Sequence, residues 1–201
     1  MKSFLSLFFD SFNELKKLRT LTVTGLLIAL ALIVKMFAIQ LTPSIRISFA
    51  FIAIMSIGML FGPFVSGISG ILVDFLSYII ADKTGNPYLP ILGIAFFISG
   101  MIYGFFLYKK DFSYKNAIIA RITSVVLCQV GLNSIIIYLM FVNKDFTITS
   151  VADLSSFGLW FAPRLVKCVI QLIPDIALIC LILPVVKKAY DRIFRLKTVN
   201  I

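Results

Sequence analysis

The sequence predicts an all-α membrane protein: a six-transmembrane-helix bundle with a short second span and an N-terminal amphipathic helix. Hydrophobic residues make up 60% of the 201 residues and charged residues 14%, whereas a soluble domain carries roughly 45–50% and about 25%. The mean hydropathy is +1.04. Six apolar stretches follow one another between polar or Gly/Pro residues. An ordinary soluble globule is therefore excluded, and one membrane domain accounts for residues 1–201.

The first segment, residues 3–18, has the spacing of a helix that lies on the membrane surface. Its large apolar residues recur at i, i+3 and i+4 with polar residues between them: Leu5, Phe8, Phe9, Phe12 and Leu15. Asp10 and Glu14 interrupt the start of the chain, which argues against a signal peptide. We therefore assign residues 1–20 to a cytoplasmic amphipathic lead-in.

The six predicted spans make up a bundle over residues 21–186. The second has only ~15 residues and reaches ~22 Å of a ~30 Å hydrocarbon core, so neighbouring helices must shield it. Residues 187–201 form a basic cytoplasmic tail. The predicted spans are 21–41, 47–61, 63–82, 88–108, 117–142 and 160–186.

The positive charge is best explained by membrane orientation. The chain has 19 Lys and Arg against 9 Asp and Glu, a net charge of +10, which in a soluble protein could indicate nucleic-acid binding. Most of these cations, Lys115, Arg121 and Lys187 among them, fall at span ends on one side. The positive-inside rule then places both termini in the cytoplasm. No nucleic-acid partner is expected.

Several classes of enzyme chemistry lack the residues that they need. The chain contains no His, which removes Ser-His-Asp, Cys-His and His-metal sites. Cys128, Cys168 and Cys180 occur singly in apolar runs without CxxC spacing and are predicted to be small core residues. There is also no GxxxxGK[ST] phosphate-binding loop. We therefore expect no enzymatic activity, no metal and no cofactor.

Polar residues inside the last two spans predict a ligand site. In the sixth span four polar residues are spaced 3, 4 and 4 apart, which places them on one helical face: Arg164, Lys167, Gln171 and Asp175. Gln129 and Asn133 share a face of the fifth span. Unpartnered groups of this kind are costly in hydrocarbon and normally face a cavity. The pattern favours an outward-facing site for a ligand that carries carboxylates at one end and a hydrogen-bonding ring at the other.

Aromatic residues near the outer span ends are available to stack on such a ring. Trp160 is i, i+4 with Arg164, and Tyr88 and Phe49 lie near the outer ends of their spans. The alternative is that Arg164 and Lys167 extend to lipid headgroups while Trp160 and Tyr88 form an interfacial belt. That alternative leaves the deeper polar residues of the sixth span unexplained.

Two further features have structural readings as well as functional ones. Asp74, in the middle of the third span, is better explained as an anchor that hydrogen-bonds to a neighbouring helix than as a ligand contact. Gly25 and Ala29 form a ridge of small residues on the first span. This ridge could serve internal packing or the docking of a partner helix.

The chain resembles the substrate-binding S-components of energy-coupling-factor (ECF) vitamin transporters, in particular the folate-type branch. The resemblance covers most of the chain and includes Arg-Ile-Ser-Phe and Pro-Arg-Leu-x-Lys in the same order. The matching segments are Phe12-Asn13-Glu14-Leu15-Lys16, Ile45-Arg46-Ile47-Ser48-Phe49, Gly58-Met59-Leu60-Phe61-Gly62-Pro63, Tyr88-Leu89-Pro90, Gly131-Leu132-Asn133-Ser134 and Ala162-Pro163-Arg164-Leu165-Val166-Lys167.

The resemblance implies a subunit of the bacterial plasma membrane that captures a vitamin from outside. It implies association with a transmembrane coupling subunit and two ATPases, with docking on the face of Gly25 and Ala29. It also implies that Asn133, Arg164 and Lys167 match polar positions of the family's ligand site.

The expected function is high-affinity folate binding for uptake. After Tyr-x-Pro the chain departs from the folate-type pattern, with Ile91-Leu92-Gly93 in place of Gly-Phe-Thr. A purine-like or deazapurine ligand therefore remains an alternative, as does a scaffold subunit without a ligand.

Overall fold

The computed structural model describes the backbone of residues 4–42, 45–81, 88–136 and 151–195. Side chains are described for residues 6–38, 48–80, 88–136, 158 and 161–194. The elements are α1 (Phe4–Glu14), α2 (Leu18–Met36), β1 (Ile39–Thr42), β2 (Ile45–Ile47), α3 (Phe51–Phe61), α4 (Pro63–Ala81), α5 (Pro90–Leu107), α6 (Tyr114–Ser124), a π-helical segment (Val125–Asn133) and α7 (Val151–Arg195).

The helices confirm the predicted all-α membrane fold. Five described helices are long and apolar enough to cross a membrane, and the apolar helix α3 is shorter. Ten of the eleven residues of α3 are buried, which fits the expectation that neighbouring helices shield the short second span. The long candidate spans are Leu18–Met36, Pro63–Ile80, Pro90–Leu107, Tyr114–Ile136 and Phe161–Phe194.

The second span begins later than predicted, because a small hairpin precedes it. β1 and β2 pair antiparallel, with Ile39 opposite Ile47 and Gln40 opposite Arg46. Apolar and polar residues alternate through 39–42 and 45–47, which is the period of a strand and not of a helix. The predicted start at residue 47 is therefore wrong, and α3 begins at Phe51.

The sixth span belongs to a helix that is longer than predicted. α7 has 45 residues and contains Pro163, Pro174 and Pro184. Proline inside a helix removes one backbone hydrogen bond each time, which a neighbouring turn or side chain can compensate in a membrane helix. The polar stripe of the sixth span therefore lies within one continuous element.

The amphipathic helix α1 is fixed to the bundle at the junction of α3 and α4. The Ser11 hydroxyl donates to the Phe61 carbonyl and accepts the backbone N–H groups of Phe64 and Val65, which satisfies free donors at the start of α4. Gly62 makes the turn with a φ of 94°, a conformation that suits glycine.

Helices α4 and α5 pack closely, and the core lies around α3. A Cβ on Gly100 would collide with the backbone of Ser66, so the two helices can approach only because this residue has no side chain. Buried residues of α2, α3, α4, α5, α6 and α7 form the main apolar cluster. Cys128 and Cys168 are buried as predicted, whereas Cys180 is exposed. The core prediction for Cys180 is wrong because its side of α7 faces away from the bundle.

Candidate ligand-binding cavity

A cavity of about 250 Å³ lies between the later helices, close to the ~300 Å³ at which small-molecule pockets begin. Four Lys or Arg side chains line it, and no Asp or Glu is among its lining residues in the described part of the chain. The lining residues are Lys35, Ser48, Ala50, Phe51, Ile54, Val73, Ala95, Phe96, Ser99, Tyr103, Arg121, Cys128, Gln129, Asn133, Ser134, Arg164, Lys167, Cys168 and Gln171.

Helix α7 forms one wall through the polar stripe that the sequence predicts. Arg164 and Lys167 are half-buried and Gln171 is buried, and all three line the cavity. The Gln171 amide Nε2 lies 3.4 Å from the Ser48 carbonyl. Its Oε1 makes no hydrogen bond to the described residues. An acceptor in this state is available to a donor on a bound molecule.

The π-helical segment forms the facing wall and contributes the amides of the fifth span. Gln129 and Asn133 both line the cavity, together with Cys128 and Ser134. The Cys168 thiol of α7 lies 3.9 Å from Gln129 Oε1 and joins the two walls. The structure therefore brings together the predicted residues Gln129, Asn133, Arg164, Lys167 and Gln171.

Arg121 and Asp175 form a buried ion pair. Together with Tyr103 and Phe51 they make up a group that we call the Arg121 cluster. Arg121 Nη2 and Nε lie 2.7 and 3.0 Å from Asp175 Oδ2. Its Nη1 donates to the Tyr103 hydroxyl at 2.8 Å, and the guanidinium carbon lies 3.8 Å from the Phe51 ring centroid. The cluster joins α3, α5, α6 and α7 at the cavity wall.

Two sequence-based assignments need correction at the Arg121 cluster. Arg121 was assigned to the charged cytoplasmic surface, but its side chain is buried inside the bundle. Asp175 was placed on the ligand-facing stripe, but it is fully buried, pairs with Arg121 and does not line the cavity. Both side chains can be buried for the same reason, because each compensates the charge of the other inside the bundle.

A second ion pair, Lys35 and Asp74, lies near the end of α2. Together with Ser77, Tyr88 and Phe96 it makes up a group that we call the Lys35 cluster. Lys35 Nζ lies 2.6 Å from Ser77 Oγ, 3.5 Å from Asp74 Oδ1 and 4.8 Å from the Phe96 ring centroid. The Tyr88 hydroxyl donates to Asp74 Oδ2 at 3.4 Å. Asp74 therefore links α2, α4 and the segment before α5, which agrees with the predicted anchor. Lys35 also lines the cavity.

The aromatic lining differs from the residues chosen from sequence. Phe49 packs against the main apolar cluster. The Tyr88 ring contacts the Phe75 ring edge to face and the Tyr78 ring at a tilt. Neither Phe49 nor Tyr88 is among the lining residues. The aromatic side chains that line the cavity are Phe51, Phe96 and Tyr103. The side chain of Trp160 lies outside the described residues.

The pKa of Tyr88 is raised above its ordinary value. Partial loss of hydration is the main cause, because it disfavours the charged phenolate. The nearby carboxylate of Asp74 adds to the effect by repelling that charge and accepting the phenol proton. Tyr88 is therefore held neutral as a hydrogen-bond donor.

Gly25 and Ala29 lie on an exposed face of α2. A Cβ added at Gly25 would meet no atom within 4 Å. Within the described part of the chain, Gly25 therefore does not serve internal packing, which is one of the two roles predicted for this ridge.

Sequence reasoning missed Lys35 and Arg121 as cavity residues, although one signal was present for both. The predicted fifth span begins at residue 117, so Arg121 lies inside it. A cation within a span requires an internal partner, and Asp175 in the sixth span is the matching anion. The same signal applies to Lys35, which lies inside the predicted first span, 21–41, with Asp74 of the third span as the matching anion.

Comparison with known proteins gives three concordant matches. Residues 19–183 match the family described as ECF transporter, substrate-specific component. A protein of Clostridium novyi (strain NT) described as folate transporter FolT is 34% identical over 121 residues, which cover 60% of this chain and 69% of that protein. A crystal structure of FolT bound with folic acid superposes with a TM-score of 0.65 at 31% identity, covering 80% of this chain and 88% of the other.

These matches agree with the apolar helices of a multi-pass membrane protein. The match to the family extends over well more than half of the chain. The protein therefore belongs to the family of substrate-specific components of ECF transporters.

Proposed function

We propose that the protein captures folate for uptake and that the cavity between the π-helical segment and α7 is its binding site. The observation that carries this proposal is the composition of the cavity wall: Arg164 and Lys167 line it, and no Asp or Glu is among the described lining residues. Lys35 and Arg121 also line the cavity, but their charges are compensated by Asp74 and Asp175. A wall of this charge favours an anionic guest. The names of the similar proteins, a folate transporter and FolT bound with folic acid, support the same ligand.

The proposed binding mode divides the ligand between charged and amide groups. Arg164 and Lys167 pair with its carboxylates through charge-assisted hydrogen bonds. Gln129, Asn133 and Gln171 hydrogen-bond to the ring, and the unpartnered Gln171 Oε1 accepts from a ring N–H. Capture of a scarce vitamin requires a nanomolar Kd, or about −12 kcal/mol.

Ring burial contributes the remaining affinity in this proposal. Phe51, Phe96 and Tyr103 line the cavity and offer apolar faces to a flat heterocycle. Trp160, Tyr88 and Phe49 stay as candidates from the sequence. Of these, Tyr88 would act indirectly: its hydroxyl donates to Asp74, which in turn contacts the cavity residue Lys35.

The proposal also includes the energising partners and the orientation. The subunit itself performs no catalysis, since the ATPases of an ECF complex would supply the work. Both termini lie in the cytoplasm of a bacterial plasma membrane, and residues 1–20 and 187–201 flank one membrane domain. The exposed face with Gly25 and Ala29 contacts the transmembrane coupling subunit.

The test is the identity and affinity of the bound compound. Mass spectrometry of the detergent-purified protein should detect a co-purified pterin, and calorimetric titration of ligand-free protein should give a nanomolar Kd for folate. A co-purified purine or deazapurine would support the alternative ligand class. Absence of saturable binding to any of these compounds would favour the scaffold alternative.

A further inference from the structure

The π-helical segment carries cavity residues that are five positions apart. Cys128 and Asn133 form one such pair and Gln129 and Ser134 the other, and all four residues line the cavity. The segment Val125–Asn133 has π-helical hydrogen bonding over nine residues. Stretches of this length are rare, and single π-turns occur frequently at functional sites.

An α-helix could not place these four residues on one wall. Each residue of an α-helix turns by about 100°, so positions five apart point about 140° away from each other. In a π-helix the residue at i+5 bonds back to residue i and lies on the next turn above it. The π-helical register therefore brings residues that are five positions apart in the sequence to the same cavity wall.

Two residues of this region suit the wider turn. The buried Ser134 hydroxyl donates to the carbonyl of Gln129, five residues earlier, at 3.0 Å. A Cβ on Gly131 would lie 3.3 Å from the carbonyl oxygen of Val126, again five residues earlier. The absence of a side chain at Gly131 therefore leaves room for this carbonyl.

The start of the segment is held in place by the preceding helix. Arg121 is fixed by Asp175 and Tyr103, and the hydroxyl groups of Ser124 and Ser99 lie 2.6 Å apart. Any change of register in the π-helical segment would consequently turn the later residues, Asn133 and Ser134, and not the anchored ones.

We propose that the π-helical segment is a positioning element for the ligand site, with Gly131 and Ser134 as its positioning residues. It keeps Gln129, Asn133 and Ser134 on the cavity wall. With the start of the segment fixed, conversion to an α-helix would leave Gln129 and Asn133 on one face but turn that face, and Ser134, away from the cavity. The effect on ligand affinity rests on the proposed function, whereas the register itself does not.

The register is tested without ligand by cysteine accessibility. In a variant with Cys128, Cys168 and Cys180 replaced by Ala, single cysteines at 129 to 136 are treated with a small charged thiol reagent. With the protein in lipid bilayers, where thiols that face lipid do not react, we expect modification of Asn133→Cys, with Leu132→Cys silent. Ser134 is only 1% exposed and is not used in this comparison. Modification of Leu132→Cys with Asn133→Cys silent is the α-helical pattern and would overturn the proposal.

The consequence for binding is tested with Gly131→Ala. The added methyl group crowds the Val126 carbonyl and favours the α register, so we expect folate affinity to fall at least tenfold and thiol modification to move from position 133 to position 132. The matched control is Gly158→Ala, whose Cβ meets nothing within 4 Å, and it should bind as the wild type does.

The outcomes separate the two proposals. Unchanged affinity and unchanged thiol pattern in Gly131→Ala would overturn the positioning role. If that variant does not fold, the thiol pattern in the parent protein still decides the register. If the wild type fails to bind folate while Asn133→Cys is modified and Leu132→Cys is not, the proposed function fails and the register stands.

Discussion

The Arg121 and Lys35 clusters both join helices around the cavity with one cation and one carboxylate, but they differ in water access. Arg121 and Asp175 are each 1% exposed and lie 2.7 Å apart. Lys35 and Asp74 are 13% and 15% exposed and lie 3.5 Å apart. The first pair is sealed from its surroundings, whereas the second is partly exposed and has the Ser77 hydroxyl nearby.

This difference separates a fixed part of the cavity from an adjustable one. Removing one member of a dry ion pair leaves an uncompensated charge, which is far more costly than the pair itself is favourable. Lys35 already divides its contacts between Ser77 and Asp74. We therefore interpret the Arg121 cluster as the rigid part of the cavity wall, which we call the frame. The Lys35 cluster is the part of the wall that tolerates substitution.

The largest effect is expected for Asp175→Asn, which breaks the dry pair while keeping the shape of the side chain. The free energy of unfolding should fall by about 3–5 kcal/mol, because the Arg121 charge stays buried without its partner. Thermal unfolding in detergent measures the change. The double variant Arg121→Met with Asp175→Leu should recover much of the loss, and a wild-type unfolding temperature for Asp175→Asn would contradict the frame role.

Arg164→Ala should weaken folate binding by about 1.5–3 kcal/mol with the fold retained, because a charge-assisted hydrogen bond is lost. Calorimetric titration measures this as roughly a 10- to 100-fold rise in Kd. The exposed Lys188, near the end of α7, provides the control variant Lys188→Ala. Equal affinity of Arg164→Ala and wild type would remove Arg164 from the site.

Asp74→Asn is the matched substitution in the Lys35 cluster and should have a smaller effect. The amide oxygen can still accept from Lys35, and the amide NH2 group can donate to the Tyr88 hydroxyl. The Lys35 charge is partly exposed and keeps its contact with Ser77, so we expect a loss of about 1 kcal/mol in unfolding free energy. The comparison with Asp175→Asn under the same conditions is the measurement. Losses of equal size would show that the two clusters do not differ as described.

The smallest effect concerns Tyr88 and appears only at alkaline pH. The pKa of Tyr88 is raised in the folded state, so its contribution is present below the unfolded pKa of about 10 and is lost as pH rises through the folded pKa. Unfolding of wild type and Tyr88→Phe should be followed from pH 7 to 11. The variant should lack a small part of the alkaline destabilisation, and identical profiles would contradict the Tyr88–Asp74 contact.

The sequence predicts the fold well, because the information is local. A run of apolar residues specifies a span without reference to the rest of the chain. The same holds for the stripe of Arg164, Lys167 and Gln171, since helical spacing alone puts these residues on one face. The sequence analysis does not predict the hairpin before α3, because residues 39–41 extend the apolar run of the first predicted span and residue 47 begins the second, which leaves 42–46 as a connection.

The rest of the site depends on contacts between distant positions. Asp175 fits the helical stripe as well as Gln171 does, and only its encounter with Arg121 from α6 assigns it to the frame. Phe51, the first residue of α3, lines the cavity, whereas Phe49 precedes the helix and packs against the main apolar cluster. The π-helical register is likewise invisible to an analysis that assumes 3.6 residues per turn.

A structure of the purified protein determined with folate tests the central claim most directly. The account predicts ligand density between the π-helical segment and α7, with ring atoms near Gln129, Asn133 and Gln171 and carboxylates within hydrogen-bonding distance of Arg164 and Lys167. Density for folate elsewhere on the protein, or a cavity that stays empty at saturating folate, would contradict it.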